Sequence, residues 1–147
     1  MVLFNIIFVQ LIVLCSLSFT QVAPVITSNG GGSSAGISYS ENGTSTVTTV
    51  TSTDVDASST STYSISGTDA DDFTINSSTG VLSFISSPNY ESPTDSDSNN
   101  SYVVVVTVTD NTSLTDTQTL TVTVTDVNEA PVITSNGGGS SAGISYS

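Results

Sequence analysis

The stretch Ala23–Ser40, APVITSNGGGSSAGISYS, recurs letter for letter at Ala130–Ser147, an offset of 107 positions. Chance does not produce so long an identity, and the offset is the length of a whole small domain rather than of a solenoid unit. A chain with this period is a tandem array of separately folded modules, and 147 residues hold one of them. The boundaries that follow are a leader at 1–22, a folded domain at 23–129, and at 130–147 the start of a second repeat, truncated inside its opening strand.

Between the two copies, apolar and polar residues alternate in the period-two manner of half-buried strands. Clusters of Gly, Asn, Asp, Ser and Pro separate the runs. About seven strands are expected: Val25–Thr27 with Gly36–Tyr39, then Thr46–Ser52, Thr62–Ser66, Phe73–Asn76, Val81–Ile85, Tyr102–Thr109 and Thr117–Thr125. Tyr102, Val104, Val106 and Val108 share one face of the sixth, and Leu120, Val122 and Val124 one face of the last, so these faces belong to the core. Asn76-Ser77-Ser78-Thr79-Gly80 reads as a hairpin turn, and the Gly-rich run at Asn29–Ser34 as a loop inside the first strand. Usage is dominated by β-branched and turn-forming residues and poor in helix formers. All-β is the expectation, with the strand spacing of a sandwich, a jelly roll or a small barrel.

From Met1 to Phe19 the residues are almost all apolar, and composition then turns abruptly to Ser, Thr and Gly. This is a targeting segment, either a cleaved secretory signal or an uncleaved membrane anchor. It places the protein outside the cell, secreted or on the surface. Cys15 is the only cysteine, so no disulfide forms within the chain. The bulky Leu14 before it does not suit lipid attachment, which leaves Cys15 an ordinary leader residue.

The chain has no Lys, Arg or His against 13 Asp and Glu, a formal charge of −13 with no internal counter-ion. Without basic side chains it cannot release counter-ions from a phosphate backbone, so nucleic acid is excluded as a partner. Schiff-base chemistry, His-based acid–base catalysis and Ser-His or Cys-His nucleophiles are excluded as well. A carboxylate-pair glycoside hydrolase needs two acids held across a cleft, for which a small sandwich with turn-borne acids offers no place. The chain is read as no enzyme.

The acids cluster at strand ends: Asp54 and Asp56; Asp69, Asp71 and Asp72; Glu91, then Asp95 and Asp97 with Asn99; and Asp126 with Asn128 and Glu129. Clustered carboxylates without cations repel one another, and a hard, oxygen-ligated ion, Ca²⁺ first, removes that repulsion. Zinc or copper would want His or Cys. Asp69, Asp71, Asp72, Asp110 and Asp116 are read instead as turn residues, since Asp favours turns for conformational reasons.

Four motifs in register make a resemblance. Ser40-Glu41-Asn42, Asp54-Val55-Asp56, Asn89-Tyr90-Glu91 and Asp126-Val127-Asn128-Glu129-Ala130-Pro131 stand, in order, where cadherin repeats carry an early Glu-Asn, an Asp-x-Asp, an Asp-Arg-Glu-like triplet and an Asp-x-Asn-Asp-Asn-Ala-Pro linker. From Ala23 to Glu129 the chain resembles a cadherin repeat of the divergent form found in large bacterial surface and adhesion proteins. It departs from the pattern where Asn89 and Tyr90 replace the first acid and the Arg of the triplet, and where the linker has Glu129 for Asp and is one Asn short.

The resemblance implies a Greek-key, immunoglobulin-like sandwich and calcium held at the joints between modules. Glu41, Glu91, Asp126, Asn128 and Glu129 would serve the far joint, and Asp54 and Asp56 the near one. The run Asp95-Ser96-Asp97-Ser98-Asn99-Asn100 has the alternating oxygens of an EF-hand's opening but Asn100 where that loop needs Gly. It is either a local calcium site, as in the acidic insert of bacterial relatives, or an ordinary polar loop. The implied role is adhesive or structural: a calcium-stiffened spacer, or a module that pairs homophilically with like molecules or with ligands on other cells. Its immediate partners would be the neighbouring repeats. The competing class is a carbohydrate- or polymer-binding sandwich, which would display exposed aromatics; the chain has no Trp and five Tyr.

Overall fold

The computed structural model describes residues 20–56 and 58–135, together with 141, 143 and 145. Most of the leader, Cys15 and much of the repeated tail lie outside the described residues. Nine strands form among the described residues, with a 3-10 turn at Ala70–Asp72. No helix among the described residues is long and apolar enough to cross a membrane.

The longest strands are β8 (Ser101–Thr109) and β9 (Thr115–Thr125), which pair antiparallel over all of β8 and over Thr115–Thr123 of β9. Their β-branched runs suit a pleated surface. Tyr102, Val104, Val106 and Val108 on one strand, and Leu120, Val122 and Val124 on the other, are buried. Each such side chain withdrawn from water contributes about 1.5–3 kcal/mol. The expected core faces are therefore the observed ones. Around this pair, β2 (Ser34–Ser40) lies parallel to β9 and β5 (Thr62–Ser66) antiparallel to β8, giving the sheet order β2-β9-β8-β5.

The facing layer consists of β3 (Thr48–Thr49), β7 (Val81–Phe84) and β6 (Phe73–Ile75), with β1 (Val25–Ile26) on β4 (Ser52–Thr53) beyond. Phe73, Phe84 and Tyr102 close the core between the layers, with ring centroids 4.4 Å (Phe73 to Phe84) and 5.1 Å (Phe84 to Tyr102) apart. The result is an all-β, immunoglobulin-like sandwich.

Two expected strands divide. Thr46–Ser52 becomes β3 and β4 because its neighbours change: Thr48 and Thr49 pair with β7, whereas Ser52 and Thr53 pair with β1. The opening strand crosses from one layer to the other, β1 on β4 and β2 on β9, through the glycine-rich loop. One buried polar residue organises that crossing. Gln118 sits in the apolar row of β9, and its Nε2 donates to the carbonyls of Ser28 (3.3 Å) and Gly32 (2.8 Å) while its Oε1 accepts from Asn29 Nδ2 (3.2 Å). Asn29 Oδ1 in turn accepts from Thr48 Oγ1 at 2.9 Å. Asp116, expected as a turn residue, accepts the Ile26 N–H at 2.8 Å and fixes β1 against β9.

The hairpin between β6 and β7 is closed as expected, with Asn76 Oδ1 accepting the N–H groups of Ser78 and Thr79, both at 3.0 Å. Gly80 ends it at φ 69°, where a Cβ would lie 2.1 Å from the Val50 carbonyl oxygen. The Val50 N–H donates to the Gly80 carbonyl at 2.8 Å, so the two backbones cannot separate without breaking the sheet. Gly80→Ala is expected to destabilise the domain by roughly 3 kcal/mol, combining left-handed strain with overpacking. The measurement is the urea midpoint at unchanged slope; a loss under about 1 kcal/mol would mean that the turn rearranges.

Candidate metal centre

β2 and β9 run parallel and end together, and the residues that follow them meet at one pole. The Glu41 N–H continues the ladder to the Thr125 carbonyl at 3.1 Å. Its side chain is only 2% exposed, and each carboxylate oxygen accepts one backbone N–H, from Val127 to Oε1 and from Tyr90 to Oε2, both at 2.8 Å. One carboxylate thus ties the linker after β9 to the segment between β7 and β8. Glu91 and Asp126 are thereby brought beside it, with one oxygen of each of the three acids within 4.8 Å of the others. Among the described residues this is the one such group of three or more acids.

The pole draws in further calcium candidates. Asn42, at φ 59°, donates from its backbone to the Pro88 carbonyl and from Nδ2 to Glu129 Oε1, holding the end of the linker against the pole. Asn128 is exposed in the linker between Asp126 and Glu129. Asn100 Nδ2 donates to the Tyr90 carbonyl at 2.9 Å, so the acidic loop abuts the same turn that carries Glu91.

Within that loop the polar atoms face one another. Asp95 is buried and accepts the N–H groups of Asn99 (2.8 Å) and Asn100 (3.3 Å); Asn99 donates to Asp97 and accepts from Ser101. The exception is Asn100 Oδ1, buried with no hydrogen-bond partner among the described residues. Asp54 and Asp56 stand at the opposite pole. Asp54 accepts the Asp56 N–H and the Ser59 hydroxyl, and Asp56 accepts the Val22 N–H at 2.7 Å. The ten candidates therefore divide between two ends and one side loop.

Electrostatics at the first pole follow from its contacts. The Val127 and Tyr90 N–H groups hold the Glu41 carboxyl below its usual range. Glu91 shifts the other way: its own backbone N–H lowers it, but desolvation and the charges of Glu41 and Asp126 together push it up. A hydrogen bond to Asp95, with desolvation and the Asp95 charge, raises Asp97. A cluster in which one carboxylate is fixed by N–H donors and its neighbours are repelled suits a hard divalent cation, since carboxylate oxygens are calcium's preferred ligands.

Sequence reasoning missed Asp69. It is buried, and its carboxylate accepts the N–H of Ser96 at 2.9 Å and of Val103 at 2.7 Å, stapling the acidic loop to β8. Burial pushes its carboxyl up, but these N–H groups outweigh burial and hold it below the usual range. Asp110 is a turn residue as expected, accepting from Thr112 and Leu114. No local pattern distinguishes Asp69 from Asp71 and Asp72, because its partners lie 27 and 34 residues away.

A sequence model described as the cadherin domain matches residues 35–125. The chain belongs to the cadherin family. Among solved structures, the cadherin domain is similar to Protocadherin Gamma B7 extracellular cadherin domains 1-4, at 21% identity and TM-score 0.60, over 71% of this chain and 24% of that one. Drosophila N-cadherin EC1-4 matches at 22% identity and TM-score 0.56, over 73% of this chain and 25% of that one. Human Protocadherin-24 EC1-2 gives the same identity, TM-score and coverage of this chain, over 45% of its own. At these identities the likeness is one of fold, and this chain spans less than half of each solved chain. No curated protein sequence matches the chain significantly. Cadherin domains are typically extracellular, adhesion-related repeats that bind calcium, and this one carries the acidic cluster just described.

The opposed shifts predict a stability optimum on the acid side in metal-free solution. Glu91 and Asp97, raised in the fold, contribute stability that is present below the unfolded carboxylate range and lost as pH rises through their folded values. Glu41 and Asp69, lowered in the fold, contribute stability that is present above that range and lost as pH falls through their folded values. The melting temperature in chelator should therefore rise as pH falls from 7 toward about 5, then drop below about 4. Glu91→Gln should flatten the upper limb; an unchanged limb would place the repulsion elsewhere.

Proposed function

We propose that this cadherin domain is a calcium-stiffened repeat of an extracellular adhesive array, serving as a spacer or as a module that pairs with like molecules or surface ligands on other cells, with no enzymatic role. The observation that carries the reading is the convergence of Glu41, Glu91 and Asp126 where the chain leaves the domain. An ion held there grips β2's end, the β7–β8 segment and the outgoing linker at once, so binding stiffens the joint. Asn128 and Glu129 extend the ligand set along the linker.

At the other pole, Asp54 and Asp56 would meet the linker of a preceding repeat. By the 107-residue offset, Asp126, Asn128 and Glu129 correspond to Phe19, Gln21 and Val22, which offer no carboxylate. The near joint of this repeat is therefore the weaker one. The domain boundaries at Ala23 and Glu129 follow from the same offset. Asp95, Asp97 and Asn99 spend most of their oxygens on one another and on backbone N–H groups, so any calcium there is secondary to the pole.

A ligand that binds only the folded state stabilises it by about 2.7 kcal/mol at a hundredfold excess over Kd. With half the joint supplied by the next module, affinity should fall toward the ~10⁻⁴ to 10⁻³ M of extracellular modules. The melting temperature is expected to rise with millimolar calcium. Glu91→Ala should abolish most of that rise, and Asp54→Ala should leave it nearly intact. Equal losses would mean that the ligands are assigned to the wrong ends, and no response to calcium would return the acids to turn chemistry.

A further inference from the structure

Asn precedes Gly twice among the described residues, at Asn29-Gly30 and at Asn42-Gly43. Both asparagines are left-handed, at φ 51° and 59°, a conformation their short polar side chain tolerates. They differ in how the amide is held. Asn29 is half-buried and bonded at both ends, Nδ2 to Gln118 Oε1 at 3.2 Å and Oδ1 to Thr48 Oγ1 at 2.9 Å. Asn42 is exposed, and its amide has one hydrogen bond among the described residues, from Nδ2 to Glu129 Oε1. The glycine after it is required by the fold. A Cβ at Gly43 would lie 2.9 Å from both the Ser40 carbonyl oxygen and the Tyr39 ring. The Gly43 nitrogen itself is engaged only by a long bond, 3.3 Å, to that same carbonyl. The turn that seats Glu41 at the pole therefore carries beside it a bare backbone nitrogen next to an exposed, thermolabile amide.

We propose that Asn42 is a site of spontaneous deamidation, and that the change uncouples the outgoing linker from the pole. The Gly43 nitrogen gives up its proton to solvent and bonds to Asn42 Cγ. The Cγ–Nδ2 bond breaks, and Nδ2 leaves as ammonia, its third hydrogen taken back from solvent. One water molecule then opens the cyclic imide. The product is an aspartate whose backbone runs through either the α-carbon or the side chain. Nothing is oxidised or reduced, and water is the one co-reactant.

The consequence falls on the linker. The amide that donated to Glu129 becomes a carboxylate beside it, next in sequence to Glu41 of the three-acid group. The chain has no cationic side chain to answer the added charge. A donor–acceptor contact that held the end of the linker is thus converted into repulsion. Where the imide opens through the side chain, the lengthened backbone also shifts the residue-42 N–H away from the Pro88 carbonyl. That an ion at the pole would offset the new charge rests on the function proposed above. The reaction and the release of the linker need only the contacts of Asn42.

The full chain is aged in chelator at mildly alkaline pH, folded and in urea, and mapped by mass spectrometry after cleavage at glutamate, which separates Asn29 from Asn42. In the folded chain Asn42 should lose its amide roughly tenfold faster than Asn29, which is held by one more hydrogen bond and by partial burial. In urea the two should react alike. Equal rates in the folded chain, or Asn29 reacting first, overturn the proposal. Asn42→Asp, which fixes the aspartate product, should lower the melting temperature in chelator. Asn42→Asp/Glu129→Gln should recover that loss by more than Glu129→Gln alone gains in the parent, because the new amide donates to the new carboxylate. No loss in the single variant, or no such recovery in the double, overturns the uncoupling. A parent melting temperature indifferent to calcium counts against the metal reading alone.

Discussion

Thirteen carboxylates and no cationic side chain leave this protein only uncharged side-chain donors and, above all, the backbone N–H group with which to settle negative charge. Its fold is arranged around that restriction. Glu41, Asp69, Asp95, Asp110 and Asp116 each accept backbone donors, and four of the five reach low exposure by doing so. In Glu41, Asp69 and Asp110, hydrogen bonding to the charged form outweighs the cost of desolvation and holds the carboxyl below its usual range. Elsewhere a protein would use an arginine for such ties; here a loop is fixed by bending its backbone toward an acid. The acids left without enough donors, Glu91 and Asp126, are the ones that gather beside Glu41 and make a cation welcome.

The second organising element is the crossing of the opening strand between layers. A continuous strand along one sheet would leave either β4 or β9 without its neighbour, so the chain divides its pairing and places a glycine-rich loop between the two pieces. Asn29, Gly30 and Gly31 all take positive φ there, which two glycines do without cost and an asparagine tolerates. Gln118 anchors this largely exposed loop to the sheet through its hydrogen bonds, at the price of one polar group in an apolar row. Because its amide is satisfied on both sides, the residue specifies the path of the loop rather than weakening the core.

Much of this was legible in the sequence wherever the signal was local. Period-two alternation marked β8 and β9 and their buried faces, and the Asn76–Gly80 turn announced its hairpin. Spaced acids in register indicated both the family and the pole at which Glu41, Glu91 and Asp126 meet. What stayed hidden depended on distant partners. The division of Thr46–Ser52 is set by which strands flank it, and Gln118 reads as polar noise until its loop is folded over it. Asp69 and Asp116 look like turn residues because the N–H groups they hold lie far away in the sequence.

The parallel pairing of β2 with β9 acquires meaning when the two ends of the domain are pulled apart, as happens to any module strung in an array. Tension enters at the pole before β1 and leaves at the pole after β9, so the two strands are drawn in opposite directions along their common axis. Their seven residue pairs are then loaded together in shear, rather than one after another as in an unzipping hairpin. β1, with two pairs, yields first and pays out only the slack of the glycine-rich loop. Past that point the Gln118 network and the β2–β9 ladder resist as a unit, a mechanical fuse in series with a stiff link.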